Sequence, residues 1–68
     1  MSPDDTLEGA VKLSRPAHRA LAQAGITTFA ELARWTRQDV AALHGIGPSA
    51  FPLLIAALSA RGLEFRAP

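Results

Sequence analysis

Residues 43–50 read Leu-His-Gly-Ile-Gly-Pro-Ser-Ala, and their types and order suit the binding of an anion. Gly45 can take a positive φ and end a helix. Ile46, between the two glycines, can drop into a core and pin the turn. Gly47 has no Cβ, so its backbone can approach a ligand closely. A helix starting just beyond it would point free N–H groups and the positive end of its dipole outward, and phosphate is the usual occupant of such a place. Ser49 and Ala50 complete the segment, Ser49 with a hydroxyl but no charge. Pro52 constrains the geometry. A helix begun at Pro48 would put Pro52 at an interior position, where it deletes a backbone bond and clashes. With Ser49 as N-cap, Pro52 falls at N3 and is tolerated, and the set of free N–H groups shifts with it.

The cations nearest in pattern are Arg15 and Arg19, four apart, with His18 beside Arg19. They share one face of a helix and suit contact with a phosphate or a DNA minor groove. The same spacing equally fits a solvated helix face. Six of the seven basic residues are Arg, whose planar fork matches phosphate and carboxylate. Arg34, Arg37, Arg61 and Arg66 read as solvated, and His18 as a surface residue. His44 precedes Gly45 and suits a helix C-cap, where imidazole favours the dipole, in preference to its alternative role as a DNA contact. Trp35 reads as a staple or core residue rather than a platform for a base.

The elements that must position these groups are helical. Residues 1–10 read as a flexible acidic arm, with Leu7 its only anchor. A first helix is expected around Pro16, with Leu13, Ala17, Ala20, Leu21 and Ala24 on one apolar face. Gly25 as C′ would end it, with Ile26 packing on Leu21. Thr28 and Glu31 form a capping box, and Thr36 with Asp39 a second. Trp35 and Val40 can staple the start of that later helix, which is expected to end near Leu43 or His44. The last helix carries Phe51, Leu54, Ile55 and Leu58 and stops at Gly62, with Leu63 over Leu58. No segment alternates long enough to make a strand.

The chain has 68 residues, no cysteine and a formal charge of +1. That length holds one domain, placed at residues 11–66. The absence of cysteine removes disulfides and thiolate metal sites and leads to a cytoplasmic expectation. No apolar stretch is long enough to span a bilayer, and no signal peptide is visible. Residues 1–10 hold three acids and no base, a formal −3, whereas residues 11–68 hold seven basic and three acidic residues, a formal +4. His18 and His44 have no partners at metal-ligand spacing, so neither a metal nor a cofactor is expected. The only acid after the turn is Glu64 and the only lysine is Lys12, so no nucleophile, base and orienter can be named and no small-molecule substrate is expected.

The turn, its flanking helical patterns and its apolar contacts match a helix-hairpin-helix motif. The same turn also serves only to pack two helices in SAM-like domains that do not touch DNA. From about Leu13 to Leu63 the chain resembles, without a gap, the C-terminal domain of the bacterial RNA polymerase alpha subunit. The resemblance runs through Leu13-Ser14, Leu21, Ile26, Leu32, Thr36, Ile46-Gly47, Ile55 and Arg61-Gly62-Leu63. Pro3-Asp4-Asp5 and Leu7-Glu8 look like that domain's acidic lead-in. The resemblance implies an all-α, compact four- to five-helix bundle that binds A·T-rich minor grooves and touches transcription activators. The family's first-helix Arg and Asn fall on Pro16 and Arg19. Arg15 lies one residue from the first of these, a rotation of about 100° on a helix. The family's hairpin Gly, Lys and Ser fall on Gly47, Ser49 and Ala50, and only Gly47 is kept.

The expectation is therefore a small non-enzymatic protein that binds double-stranded DNA through Arg15, Arg19, Gly45, Gly47, Ser49 and Ala50, nucleoid-associated if it does so. The alternative is a protein-interaction module or homodimer that keeps the fold without the DNA site. The last helix supports that alternative, being apolar on more than one face.

Overall fold

The computed structural model describes residues Met1 to Pro68. Five helices run in order, α1 (Leu7–Ala10), α2 (Arg15–Gln23), α3 (Phe29–Leu32), α4 (Arg37–Ala41) and α5 (Ala50–Ser59). There are no strands, only isolated bridges of Thr6 with Thr28 and of Thr36 with Arg66. The fold is all-α.

Three of the helix starts are capped by a hydroxyl. Ser14 caps α2 by accepting the Ala17 N–H at 3.3 Å, with Pro16 inside the first turn. That helix begins one residue before the expected Pro16, so Arg15 is its first residue. At α3 the Thr28 hydroxyl accepts the Glu31 N–H at 3.2 Å, and Glu31 returns the bond to the Thr28 N–H at 3.0 Å. Glu31 also accepts from the Thr27 hydroxyl at 2.6 Å. That hydroxyl, with the N–H groups of Thr27 and Thr28, holds the Glu31 carboxyl down at about 2 against an ordinary 4.5. At α4 the Thr36 hydroxyl accepts the Asp39 N–H at 3.0 Å.

The helix ends follow a shared rule. Gly25 has φ 79°, its N–H reaches the Ala22 carbonyl at 3.0 Å, and the Ile26 N–H reaches Leu21 at 2.9 Å. Gly62 has φ 72°, with bonds to Ser59 at 3.0 Å and from Leu63 to Leu58 at 2.9 Å. These are the two bonds of a Schellman ending, and Leu21, Ile26 and Leu58 are buried beside it. By contrast α4 stops at Ala41, earlier than expected, and the N–H groups of Leu43 and Ile46 close four-residue turns onto the carbonyls of Val40 and Leu43.

The core is a single cluster centred on Phe29, Leu32, Val40 and Leu54, all without solvent exposure. Leu13, Trp35, Leu43, Ile46 and Leu63 pack against its edge, half-buried. Burying one Leu- or Phe-sized side chain stabilises a fold by about 1.5–3 kcal/mol.

The first ten residues differ from the expected arm. They are docked, and they supply α1. Leu7 is buried and its N–H bonds the Thr27 carbonyl at 3.0 Å. The carbonyls of Asp5 and Pro3 accept the N–H groups of Phe29 and Ala30 at 3.3 and 2.8 Å. Those are the first two donors of α3, which no intrahelical acceptor can serve. The arm is therefore a cap, a role invisible in its turn-rich composition.

Arg61 also departs from its expected solvated place. Its side chain is only 6% exposed and lies 3.1 Å from Asp5 Oδ2. It donates to the Ala57 carbonyl at 2.8 Å and stacks 4.0 Å above the Phe29 ring. The Ser2 N–H, with Arg61, holds the Asp5 carboxyl below its ordinary range. The C-terminal tail folds back similarly, with the Arg66 N–H on the Trp35 carbonyl at 3.0 Å and Phe65 against Phe51.

Candidate functional site

A groove of about 350 Å³ runs between α2 and the turn that joins α4 to α5. Arg15, Pro16, Arg19, Ala20 and Gln23 form one wall, and His44 with Gly45 forms the other. Arg15, Arg19 and Gln23 repeat every four residues, so they line one face of α2. No carboxylate lines the groove.

Gly45 sets its width. Its φ is 102°, and a Cβ built on it would lie 2.8 Å from the Pro16 carbonyl oxygen and 3.4 Å from Ala20 Cβ. The turn therefore touches the first turn of α2 backbone to backbone. That contact places His44 beside the two arginines.

The backbone of the turn is rich in unused donors. The N–H groups of His44, Gly45, Gly47 and Ser49 make no hydrogen bond within the protein. Ala50 and Phe51 differ, since their N–H groups bond the carbonyls of Gly47 and Pro48 at 3.1 and 3.3 Å. Ser49 occupies the N-cap position of α5, and Pro52 is its third residue. The free donors thus lie in the turn itself, upstream of the helix start. The Ser49 side chain caps nothing and is exposed.

The expected site residues are therefore brought together in part. Arg15, Arg19 and Gly45 share the groove. Gly47 and Ser49 continue the turn with free N–H groups, and space beyond Gly47 is open. Ala50 does not join them. Its side chain is in the core and its N–H is engaged, so it has nothing to offer a ligand.

Two groove residues escape a reading of the sequence. Gln23 follows from extending the Arg15–Arg19 spacing by one more turn. His44 does not follow from local pattern. The cap of α4 is Ala42, so His44 lies beyond the helix end and faces α2 instead. His18 points elsewhere, half-buried, its Nε2 accepting the Leu13 N–H at 3.3 Å. It borders a separate depression together with Glu8.

The other cations are occupied or distant. Arg37 lies 5.1 Å over the Phe51 ring, and Arg61 is paired with Asp5. Arg34 and Arg66 flank Trp35 in a shallow depression that also holds Glu31. The arm does not cover the groove, because Asp5 is held at Arg61 and Glu8 lies near His18. No three side chains of His, Asp or Glu converge as a metal site would require, and no helix is long and apolar enough to cross a membrane.

A scan of the chain against protein-family models finds no match, and a search of curated proteins finds no matching relative.

Proposed function

We propose that the chain is a small, non-enzymatic DNA-binding protein and that α4, its turn and α5 form a helix-hairpin-helix. On this reading it acts in the bacterial cytoplasm at the nucleoid, in a transcription-related role like that of the domain it resembles. The observation that carries the proposal is the groove. Two exposed arginines of α2 face a turn that carries His44 and four unbonded N–H groups, and no carboxylate lines the groove. Guanidinium and backbone N–H are the donors that proteins use on phosphate oxygens. Arg15 and Arg19 hold two phosphates or enter a minor groove, and the N–H groups of Gly47 and Ser49 take a third. Such contacts position the protein on a duplex without reading base sequence. Two arginine contacts imply a salt slope of about −2 and binding in the weak, non-specific range.

The test is a fluorescence-anisotropy titration of labelled duplex DNA at low salt. The wild type is expected to bind saturably, and the Arg15→Glu/Arg19→Glu variant to lose that binding with its fold intact by circular dichroism. Equal binding by both would remove the groove from the mechanism, and no binding by either would end the DNA reading.

A second reading, a protein-docking module or homodimer, is favoured by α5. Its exposed residues Pro52, Leu53, Ile55, Ala56 and Ser59 carry no charge, and Leu53 and Ile55 are 47% and 43% exposed. Sedimentation equilibrium decides it, since a strict monomer at high concentration contradicts the homodimer.

A further inference from the structure

Resting on the DNA-binding reading of the groove, we infer that His44 is its third cationic contact and makes binding proton-linked. The imidazole is exposed on the turn and faces α2 across the groove. Two depressions border it, and the only charged groups lining either are Arg15 and Arg19, both on α2. Leu43 and Gly45 on its own segment, and Ala20, Gln23 and Ala24 on α2, carry no charge. A free histidine changes charge near pH 6.5, inside the physiological span. A phosphate seated between the arginines stands next to the imidazole and attracts its protonated form more than its neutral form. By linkage, the protonated protein binds the anion more tightly, and binding draws in a proton.

The sign and size follow. Affinity rises as pH falls. The rise is at most about tenfold for each pH unit by which the phosphate lifts the imidazole's proton affinity. The salt slope steepens by at most about 0.9 as the imidazole gains its proton, because one more cation meets the phosphates. Asp5 and Glu31 are held below the ordinary carboxylate range, so both stay charged throughout. The second histidine, His18, lies outside the groove with its Nε2 engaged by Leu13.

The experiment measures affinity of the full chain for a labelled duplex at pH 7.5, 6.5 and 5.5, each at three salt concentrations. Wild type, His44→Gln, His44→Arg and His18→Gln are compared. The expected result is tightening with a steeper slope in wild type and in His18→Gln. His44→Gln should stay flat across the pH range and bind more weakly than the wild type does at pH 5.5. His44→Arg should also stay flat, near the affinity the wild type shows at pH 5.5. Because His44 is exposed, its variants are expected to keep the wild-type melting curve. PH dependence that survives in His44→Gln, or a wild type that binds with no pH dependence, overturns the inference and leaves the groove reading standing. A wild type that binds at no pH overturns the groove reading itself.

Discussion

Gly45 ties the turn to α2 through two separate requirements. Its φ of 102° suits glycine alone, and its missing Cβ leaves room for the Pro16 carbonyl 2.8 Å away. Gly47 has neither constraint, since nothing lies within 4 Å of a Cβ there and its φ is not positive. Gly45→Ala should therefore cost more than about 1 kcal/mol, from strain alone, before the clash is relieved. At about 4–8 °C per kcal/mol for a domain of this size, differential scanning calorimetry should show a clear drop in Tm. Gly47→Ala should melt within a few degrees of wild type. Equal melting of the two variants would contradict the backbone contact. Glu31 supports a prediction in pH. Its folded carboxyl titrates at about 2 against an ordinary 4.5, so the unfolded chain takes up the proton first. The stabilisation is complete above about pH 4.5 and is lost as pH falls toward about 2. Urea midpoints measured across that window should fall steeply for wild type and less steeply for Glu31→Gln. Asp5, also held low, accounts for part of the remaining slope below 3.8.

Among the elements, α3 has only four residues and cannot stand alone. Thr28 and Glu31 secure it from within, and the carbonyls of Pro3 and Asp5 secure it from the arm. Thr28→Ala should cost about 1 kcal/mol by chemical denaturation. Deletion of residues 1–10 should cost more, because it removes the buried Leu7 and leaves two donors of α3 without acceptors. A truncated chain melting like the full one would show that the arm is dispensable. These two elements also mark where the sequence was and was not legible. The Schellman endings at Gly25 and Gly62 and the Thr28–Glu31 box are local patterns of glycine, hydroxyl and apolar residues at fixed spacing, whereas Ser49 sits before α5 without capping it. Arg15 and Arg19 were legible as one face of α2 for the same reason. The docking of Asp5 on Arg61 joins residues 56 apart, and no local pattern encodes it. His44 likewise gains its place only because α4 ends early and Gly45 lies against Pro16.

For the whole molecule, the formal +1 conceals a separation of charge. Asp5 neutralises Arg61, and Arg37 sits over Phe51, so two of the basic residues serve the fold. Arg15 and Arg19 remain free in a groove without carboxylates. The molecule measures 27 × 26 × 20 Å. At about 3.4 Å per base pair its longest dimension would cover about eight pairs of the proposed duplex partner, which would keep the phosphate contacts few and the salt slope shallow. The opposite character of α5, apolar and uncharged outward, gives the molecule a second distinct face. That duplex DNA binds, and binds at the groove face, is therefore the central claim of the proposal. The most direct measurement is a titration of the isotopically labelled protein with duplex DNA at low salt, followed by amide chemical shifts. The account predicts perturbations concentrated at residues 14–23 and 43–49, strongest at Arg15, Arg19, His44 and Gly47. Perturbations confined to Leu53, Ile55, Ala56 and Ala60, or no perturbation at all, would contradict it.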